Sequence, residues 1–273
     1  MELREVRVVG SPTTADIDDA IAARYLDLLK RSLSGTLHAD PARAVLQADG
    51  GIEYVAVPPS ERPQLEEGRS WPAFGETMIG LSRLDNLRFC VEELLRDEIP
   101  GDFIEAGVWR GGASIYIKAL LELHGATDRS IWLADSFAGL PAPHPDYPSD
   151  AGATYHTIPF LAVSPEQVVA NFQRYNLHDD RVRLVKGFFK DTLPTLAGKT
   201  WALVRLDGDM YESTMDGLVH LYPGLSPGGY IIIDDFGCCP PCRQAVEDFR
   251  ALRGIEDPIR PIDWTGVFWR KGE

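Results

Sequence analysis

The chain has 273 residues, of which 44% are hydrophobic, and this length suits one good-sized globular domain or one domain with an extension. Acidic residues (41) exceed basic residues (27), and the formal net charge of -14 argues against nucleic acid and anionic membrane surfaces as partners. The start of the chain is charged, and no run of about 18 apolar residues occurs, so we expect a protein of the cytoplasm with no membrane partner.

Residues 1–72 differ in pattern from the rest of the chain. A short apolar start and a turn at residues 10–12 precede a predicted helix over residues 16–37, because leucines recur on one helical face. These leucines are Leu26, Leu29, Leu33 and Leu37. Residues 39–72 have no clear period. We predict that residues 1–72 form a helical lid, with an arm that only makes an oligomer as the alternative.

Helices and strands alternate through residues 73–273, which is typical of a parallel sheet covered on both faces. Strands are predicted at residues 102–109, 130–134, 182–186, 201–206 and 229–233. Helices are predicted at residues 78–97, 114–124, 165–175, 212–221 and 243–253. Residues 259–262 and 266–270 are expected to close the sheet as an antiparallel hairpin. The predicted fold class is therefore α/β, with a doubly wound, mostly parallel sheet of seven strands.

The first predicted strand of this region ends in a glycine-rich segment, EAGVWRGGAS, at residues 105–114. Glycines at this point let a ligand approach the backbone, although the spacing is not that of a dinucleotide cradle. The next strand ends in Asp135, which is placed to bind the ribose of a nucleoside cofactor or to cap the following turn. Phe137 is placed to pack on an adenine.

Two apolar strands end in acid clusters: Asp207 and Asp209 follow one, and Asp234 and Asp235 follow the other. Adjacent parallel strands would bring these carboxylates to one edge of the sheet, where their repulsion favours a bound cation. Oxygen ligands with room for substrate and water suit Mg²⁺. The alternative is a set of solvated strand-end caps.

Three thiols, at positions 238, 239 and 242, lie just beyond the second acid cluster. With no histidine nearby and two intervening prolines they form a poor tetrahedral metal set, so we predict an ordinary loop there. The irregular residues 139–165 are too long for a simple connection and are predicted to be a functional loop.

Several blocks of the sequence together resemble the macrocin O-methyltransferase family. These blocks are TMIGLSRLDNL, EAGVWRGGAS, ADSFAG, GFFKDTLP, RLDGDMYEST and SPGGYIIIDDF, and the resemblance runs from Tyr25 to Arg270. It implies a Rossmann-like class I methyltransferase domain over residues 73–273 that uses S-adenosylmethionine to methylate a sugar hydroxyl. It also implies that the small-molecule partner is an antibiotic or related glycosylated natural product.

The resemblance also implies roles for individual residues. Asp207, Asp234 and Asp235 match the family's metal ligands, and Asp207 matches the general base, with Asp209 as the alternative. The expected cofactor-binding residues are Thr77, Met78, Glu105, Gly107, Asp135, Ser136, Phe137, Gly187, Phe188 and Asp207. Phe188 stands where relatives carry Trp, and Glu76 stands where His is expected. In the functional loop, Asp150 and Tyr155 are expected to contact the acceptor.

The mechanism expected from these residues is metal-assisted methyl transfer, in which Mg²⁺ acidifies the acceptor hydroxyl and Asp207 takes its proton. A nicotinamide-dependent oxidoreductase or epimerase of nucleotide sugars is the alternative, but such short-chain enzymes need a Tyr with a Lys four residues on, and no Tyr here has one. A non-enzymatic carbohydrate or metal-binding protein is the second alternative. A homo-oligomer is expected because the leucine stripe of the first helix needs to be buried.

Overall fold

A computed structural model of the chain describes residues 14–47 and 50–272. The helices are α1 (Thr14–Leu33), α2 (Arg62–Glu66), α3 (Leu81–Arg96), α4 (Gly112–Leu123), α5 (Pro165–Arg174), α6 (Phe189–Thr192), α7 (Tyr211–Leu221) and α8 (Pro240–Arg253). The strands are β1 (Ala42–Leu46), β2 (Ile52–Ala56), β3 (Trp71–Pro72), β4 (Asp102–Ala106), β5 (Ile131–Asp135), β6 (Val182–Lys186), β7 (Trp201–Leu206), β8 (Leu225–Ile233), β9 (Arg260–Pro261) and β10 (Val267–Arg270). The predicted turn at residues 10–12 lies outside the described residues.

The main sheet has seven strands in the order β6-β5-β4-β7-β8-β10-β9. Strands β4 to β8 are parallel, whereas β10 runs antiparallel to both β8 and β9. The predicted α/β class and the C-terminal antiparallel hairpin are therefore confirmed. The chain leaves β4 toward β5 and β6 and then returns to the other side of β4 with β7, which opens a crevice at the carboxyl ends of β4 and β7.

Helices cover both faces of this sheet, as the alternating sequence pattern predicts. One apolar core lies under α1, α3, α4 and α5, and the other lies under α7 and α8. Every residue of β7 is buried, so its continuous apolar run reflects contact with both cores. A single charged side chain, Arg205, interrupts that run.

The first helix packs against the main domain. Leu26, Leu29 and Leu33 are buried, as the stripe predicts, but they pack into the core that α1 shares with α3 and α4. The helix ends at Leu33, and Leu37 lies beyond it and is exposed. Because the stripe is satisfied within the same chain, it no longer supports the expected oligomer, which remains a prediction without that reason.

A small antiparallel sheet in the order β2-β1-β3 follows α1, and the sequence pattern did not predict it. Its central strand buries only Ala44, which is too small to produce a visible alternation of apolar and polar residues. The sheet packs against residues 139–165, where the ring of Trp71 stacks on Phe160 at a centroid distance of 5.5 Å. The strands of this N-terminal region therefore adjoin the predicted functional loop.

Residues 139–165 contain short 3₁₀ turns at Pro148–Asp150, Tyr155–Thr157 and Pro159–Leu161. Ile158 and Phe160 of this loop are buried in a small core that includes Ala44. Among the described residues, no helix combines the length and apolar character needed to span a membrane.

Candidate active site

The carboxyl ends of the central strands lie side by side and form one rim. Ala106 of β4 pairs with Leu206 of β7, which in turn pairs with Ile233 of β8. The residues that follow these strands are therefore neighbours. The backbones after β4 and β7 approach closely at Gly107, because a Cβ atom on Gly107 would lie 1.8 Å from the carbonyl oxygen of Asp207. The φ of Gly107 is +94°. Only glycine fits at this crossing of two strand ends.

A cavity opens at this rim, among the residues that follow the central strands. Six of the predicted cofactor-binding residues line it: Met78, Gly107, Asp135, Ser136, Phe188 and Asp207. Residues from both ends of the 139–165 loop also line it, namely Gly139, Leu140, Pro141 and Leu161. The predicted functional loop therefore forms one wall of the cavity.

Asp135 connects the loops that follow β4 and β5. Its Oδ2 accepts hydrogen bonds from the backbone N–H groups of Val108 (2.7 Å) and Trp109 (3.3 Å), and its Oδ1 accepts one from Phe137 (2.7 Å). Burial raises the pKa of this carboxyl, and these three hydrogen bonds oppose the rise. Asp135 thus caps the strand-end turns, as its alternative interpretation states, while it also lines the cavity.

The other predicted cofactor residues do not line the cavity. The ring of Phe137 is buried in the core under α4 and α5, and its contact with an adenine remains a prediction. Thr77 is buried, and its side chain packs on the glycine loop, where a Cβ on Gly112 would lie 2.7 Å from the Cβ of Thr77. Gly187 directly precedes the lining residue Phe188 and adopts a φ of +142°.

Glu105 lies beneath the rim and contacts protein groups instead of the cavity. Its carboxylate accepts hydrogen bonds from Ser114 and from the Nη1 of Arg205 (2.6 Å). Burial raises the pKa of Glu105 to about 7, against the opposing effect of Arg205. Glu105 therefore supports the rim through these contacts, and its contact with the cofactor remains a prediction.

Two buried arginines hold the acid rim together. Arg205 donates to Glu105, to Asp207 (2.9 Å) and to Asp234. Arg83 of α3 also donates to Asp234, and its Nε donates to Asp263 at 3.0 Å. Both oxygens of Asp234 are therefore bound by guanidinium groups. The sequence prediction did not include either arginine.

The predicted metal ligands do converge. Asp207, Asp234 and Asp235 each offer a carboxylate oxygen, and these oxygens lie within 4.8 Å of one another. Burial and repulsion by Asp234 raise the pKa of Asp207 to about 6, although Arg205 opposes the rise. Burial and repulsion by Asp209 raise the pKa of Asp235 well above its ordinary value. These carboxyls are closely packed and resist ionisation, and their oxygen atoms are near enough to one another to coordinate one ion. This arrangement fits a hard divalent cation.

Asp209 belongs to the same rim, just beyond the end of β7. Its backbone adopts a φ of +56° and its N–H donates to Oδ2 of Asp235 at 3.1 Å. Burial and repulsion by Asp207 raise its pKa to about 8. Asp207 and Asp209 both line the cavity, so geometry keeps both as candidate proton acceptors.

The two predicted acceptor residues differ in their surroundings. Asp150 is buried, and its carboxylate accepts hydrogen bonds from the backbone N–H groups of Tyr211 (2.6 Å) and Glu212 (3.0 Å). It caps α7 and anchors the loop, and its contact with the acceptor remains a prediction. Tyr155 is half-buried beside Asp209 and Cys239, and burial raises its pKa.

Sequence reasoning missed several residues that the fold brings to the site. Arg205 was detectable, because a charge inside an apolar strand must be paired when the strand is buried. The side chain of Arg83 carries no such signal on an amphipathic helix. Trp109, Phe189, Lys190, Glu212, Ser213 and Asp216 also line the cavity.

Comparison with known proteins agrees with this architecture. Residues 22–271 match the macrocin-O-methyltransferase family. A tetracenomycin-C 4'-O-methyltransferase of Streptomyces olivaceus is 48% identical over 90% of this chain and 92% of its own length. Demethyldecarbamoylnovobiocin O-methyltransferase of Streptomyces niveus is 44% identical over 94% and 97%. Mycinamicin III 3''-O-methyltransferase of Micromonospora griseorubida is 46% identical over 90% and 96%.

Among solved structures, the O-methyltransferase NovP matches 92% of this chain and 100% of its own, with 45% identity and a TM-score of 0.83. A calicheamicin methyltransferase matches with 20% identity and a TM-score of 0.59, which supports the fold alone. The fold and the strand-end cavity are those of a class of S-adenosylmethionine-dependent O-methyltransferases. Within that class, the chain belongs to the macrocin O-methyltransferase family. The nicotinamide-dependent alternative has no support in these matches.

Proposed function

We propose that this enzyme transfers the methyl group of S-adenosylmethionine to a sugar hydroxyl of a glycosylated natural product, with Mg²⁺ at the acid rim. The convergence of Asp207, Asp234 and Asp235 beside the cavity carries this proposal. The names of the relatives suggest the substrate class, because they refer to a dimethoxyrhamnosyl tetracenomycin and to mycinamicin III.

The bound cation would lower the pKa of a hydroxyl that it coordinates. Asp207 would hold it together with Asp235, while Asp234 would contribute through the lone pairs that the arginines leave free. Arg83 and Arg205 both donate to Asp234 and hold it in place, and Arg205 also orients Asp207. These contacts give the rim a defined geometry before substrate binds.

We assign the proton transfer to Asp207, with Asp209 as the second candidate. The sulfonium methyl needs only in-line attack, so the protein's main tasks are to position the hydroxyl and to remove its proton. Carboxyl groups with a pKa of about 6 and about 8 are both suited to accept a proton near neutral pH. Arg205 touches Asp207 and would stabilise its charged form before the reaction.

The test combines binding with turnover. Purified enzyme is assayed with mycinamicin III and demethyldecarbamoylnovobiocin as acceptors, and EDTA should abolish turnover that added Mg²⁺ restores. Asp207→Asn should lose turnover by about 10²-fold or more while still binding S-adenosylhomocysteine, as measured by calorimetry. Asp128→Asn, at an exposed carboxyl, serves as the control. Full turnover in excess EDTA would refute the metal assignment, and a fully active Asp207→Asn would transfer the base to Asp209.

Two further measurements test the cofactor and the acceptor side. Titration with S-adenosylhomocysteine should give a binding isotherm where NADH gives none, and the reverse result would favour the oxidoreductase. Tyr155 lies beside Asp209, so we propose that its phenol contacts the acceptor. Tyr155→Phe should raise the acceptor KM, and an unchanged KM would remove this contact.

We also propose that residues 1–72 form an extension and that residues 73–273 form the catalytic domain. Trp71 supports a covering role for the strands of the extension, because its ring packs on Phe160 of the loop that lines the cavity. Trp71→Ala should therefore raise the acceptor KM. An unchanged KM in a folded variant would restrict the extension to a structural role.

A further inference from the structure

A thiol cluster lies directly beside the acid rim, in the turn that leads into α8. The Sγ atoms of Cys238 and Cys239 are 3.4 Å apart, and the Sγ of Cys238 is 3.8 Å from Oδ1 of Asp235. Asp235, Cys238 and Cys239 each present a ligand atom within 4.8 Å of the others. Neither thiol takes part in the methyl-transfer mechanism above.

These separations match those between the ligands of one tetrahedral ion. Zinc-type bond lengths of about 2.3 Å to sulfur and about 2.0 Å to oxygen place two sulfur ligands about 3.8 Å apart and a sulfur and an oxygen about 3.5 Å apart. The observed 3.4 and 3.8 Å differ from these values by amounts that small side-chain rotations would remove. Cys238 is exposed, which gives an ion a path from solvent.

The sequence did not predict this site, because the thiols alone form a poor metal set. The fold adds the missing ligand, since Asp235 at the end of β8 faces the thiols of the following turn. Asp209 also approaches the cluster, as the Sγ of Cys239 donates to its Oδ1 at 3.8 Å. One carboxylate and two thiols could therefore coordinate a single ion, and water or Asp209 could occupy the fourth coordination position.

We propose that Asp235, Cys238 and Cys239 bind a thiophilic divalent cation of the zinc class, and that this ion inhibits methyl transfer. Asp235 belongs both to this cluster and to the rim formed with Asp207 and Asp234. An ion held by sulfur would therefore withdraw a shared ligand from the hard-ion site. The binding part stands on the thiol geometry alone, whereas the inhibition part rests on the proposed function.

The binding part is tested with Co²⁺ as an optical probe for the full chain, in the presence of a non-thiol reductant and without cofactor. Wild-type protein should develop sulfur-to-cobalt charge-transfer absorption that one equivalent of Zn²⁺ displaces. Cys238→Ser and Cys239→Ser should each weaken Co²⁺ binding by about tenfold or more, because hydroxyl is a far poorer ligand for this ion class. Serine is also a favoured residue at the N-cap position that Cys239 occupies, so α8 should remain folded.

Cys90→Ser is the matched control, since Cys90 is a buried thiol of α3. It should keep the wild-type absorption. Absence of the charge-transfer band in wild type, or its persistence in both Cys238→Ser and Cys239→Ser, would overturn the site. This readout needs neither methyl donor nor acceptor, so its failure is distinct from failure of the proposed function.

The inhibition part compares the ratio of turnover with and without Zn²⁺, at fixed Mg²⁺, within each variant. Wild type and Cys90→Ser should lose most of their turnover at a Zn²⁺ concentration that saturates the site. Cys238→Ser should need about tenfold more Zn²⁺ for the same loss. Zinc that binds the thiols and leaves turnover unchanged would overturn the inhibitory role.

Discussion

Removal of Arg205 is the most informative perturbation of the acid rim. Its side chain is 1% exposed and pairs with Glu105, Asp207 and Asp234. Arg205→Met keeps an unbranched apolar stem but deletes the guanidinium group and its charge. The three carboxyls then remain at the rim, and only Asp234 retains another guanidinium partner, from Arg83.

Loss of one partner from a buried ion pair costs about 3–5 kcal/mol, because it leaves an uncompensated buried charge. We therefore expect Arg205→Met to lower the free energy of unfolding by about 4 kcal/mol at pH 8. The cost should shrink at pH 5.5. Burial already raises the pKa of Glu105 to about 7 and that of Asp207 to about 6, and loss of the guanidinium raises both further. Protonated carboxyls no longer need the arginine.

The assay is urea denaturation in EDTA at both pH values, with linear extrapolation of the free energy of unfolding to water. Arg183→Met, at an exposed arginine of the edge strand β6, is the control and should change stability by about 0.5 kcal/mol or less. Adding Glu105→Gln to Arg205→Met should recover about 1–3 kcal/mol at pH 8, because it removes one orphaned charge. A deficit below about 1 kcal/mol at pH 8, or a larger deficit at pH 5.5, would refute the reasoning.

Three more outcomes are expected. Glu105→Gln should gain stability relative to wild type by about 2 kcal/mol between pH 5.5 and pH 8 in urea melts, because a buried acid with a folded pKa of about 7 destabilises the wild-type native state as pH rises. A stability difference between the two proteins that does not change with pH would contradict this. Gly107→Ala should lower the free energy of unfolding by about 3 kcal/mol or more and abolish turnover, since its Cβ would meet the Asp207 carbonyl. Gly152→Ala, at a φ of +85° in open space, should lower it by only about 1 kcal/mol. Equal losses of stability in the two variants would mean that the clash at residue 107 is relieved. Asp150→Ala should lower stability by about 1 kcal/mol through loss of the α7 cap, and Asp150→Asn should recover most of that loss. If Asp150→Ala were as stable as wild type, the cap would be dispensable.

The sequence by itself determined the elements whose residues repeat with a local period. The run from Trp201 to Leu206 is apolar because both of its faces are buried, and the pattern therefore predicts β7 with the bounds that the structure has. The sequence also predicted the rim, because acidic residues follow both β7 and β8 and neighbouring parallel strands end at the same edge of a sheet. The carboxylates of Asp207, Asp234 and Asp235 do meet there.

Only the tertiary structure decided which groups face those acids. Arg205 and Glu105 are 100 positions apart in the chain, and they meet because β4 and β7 are neighbours in the sheet. Asp150 caps a helix that begins 61 residues later, and Asp235 turns toward two thiols that by themselves make a poor metal set. Contacts of this kind leave no periodic trace, since each depends on a single side chain reaching one distant partner. The local pattern specifies which segments fold into strands and helices, whereas the charge balance at the rim follows from how those segments pack.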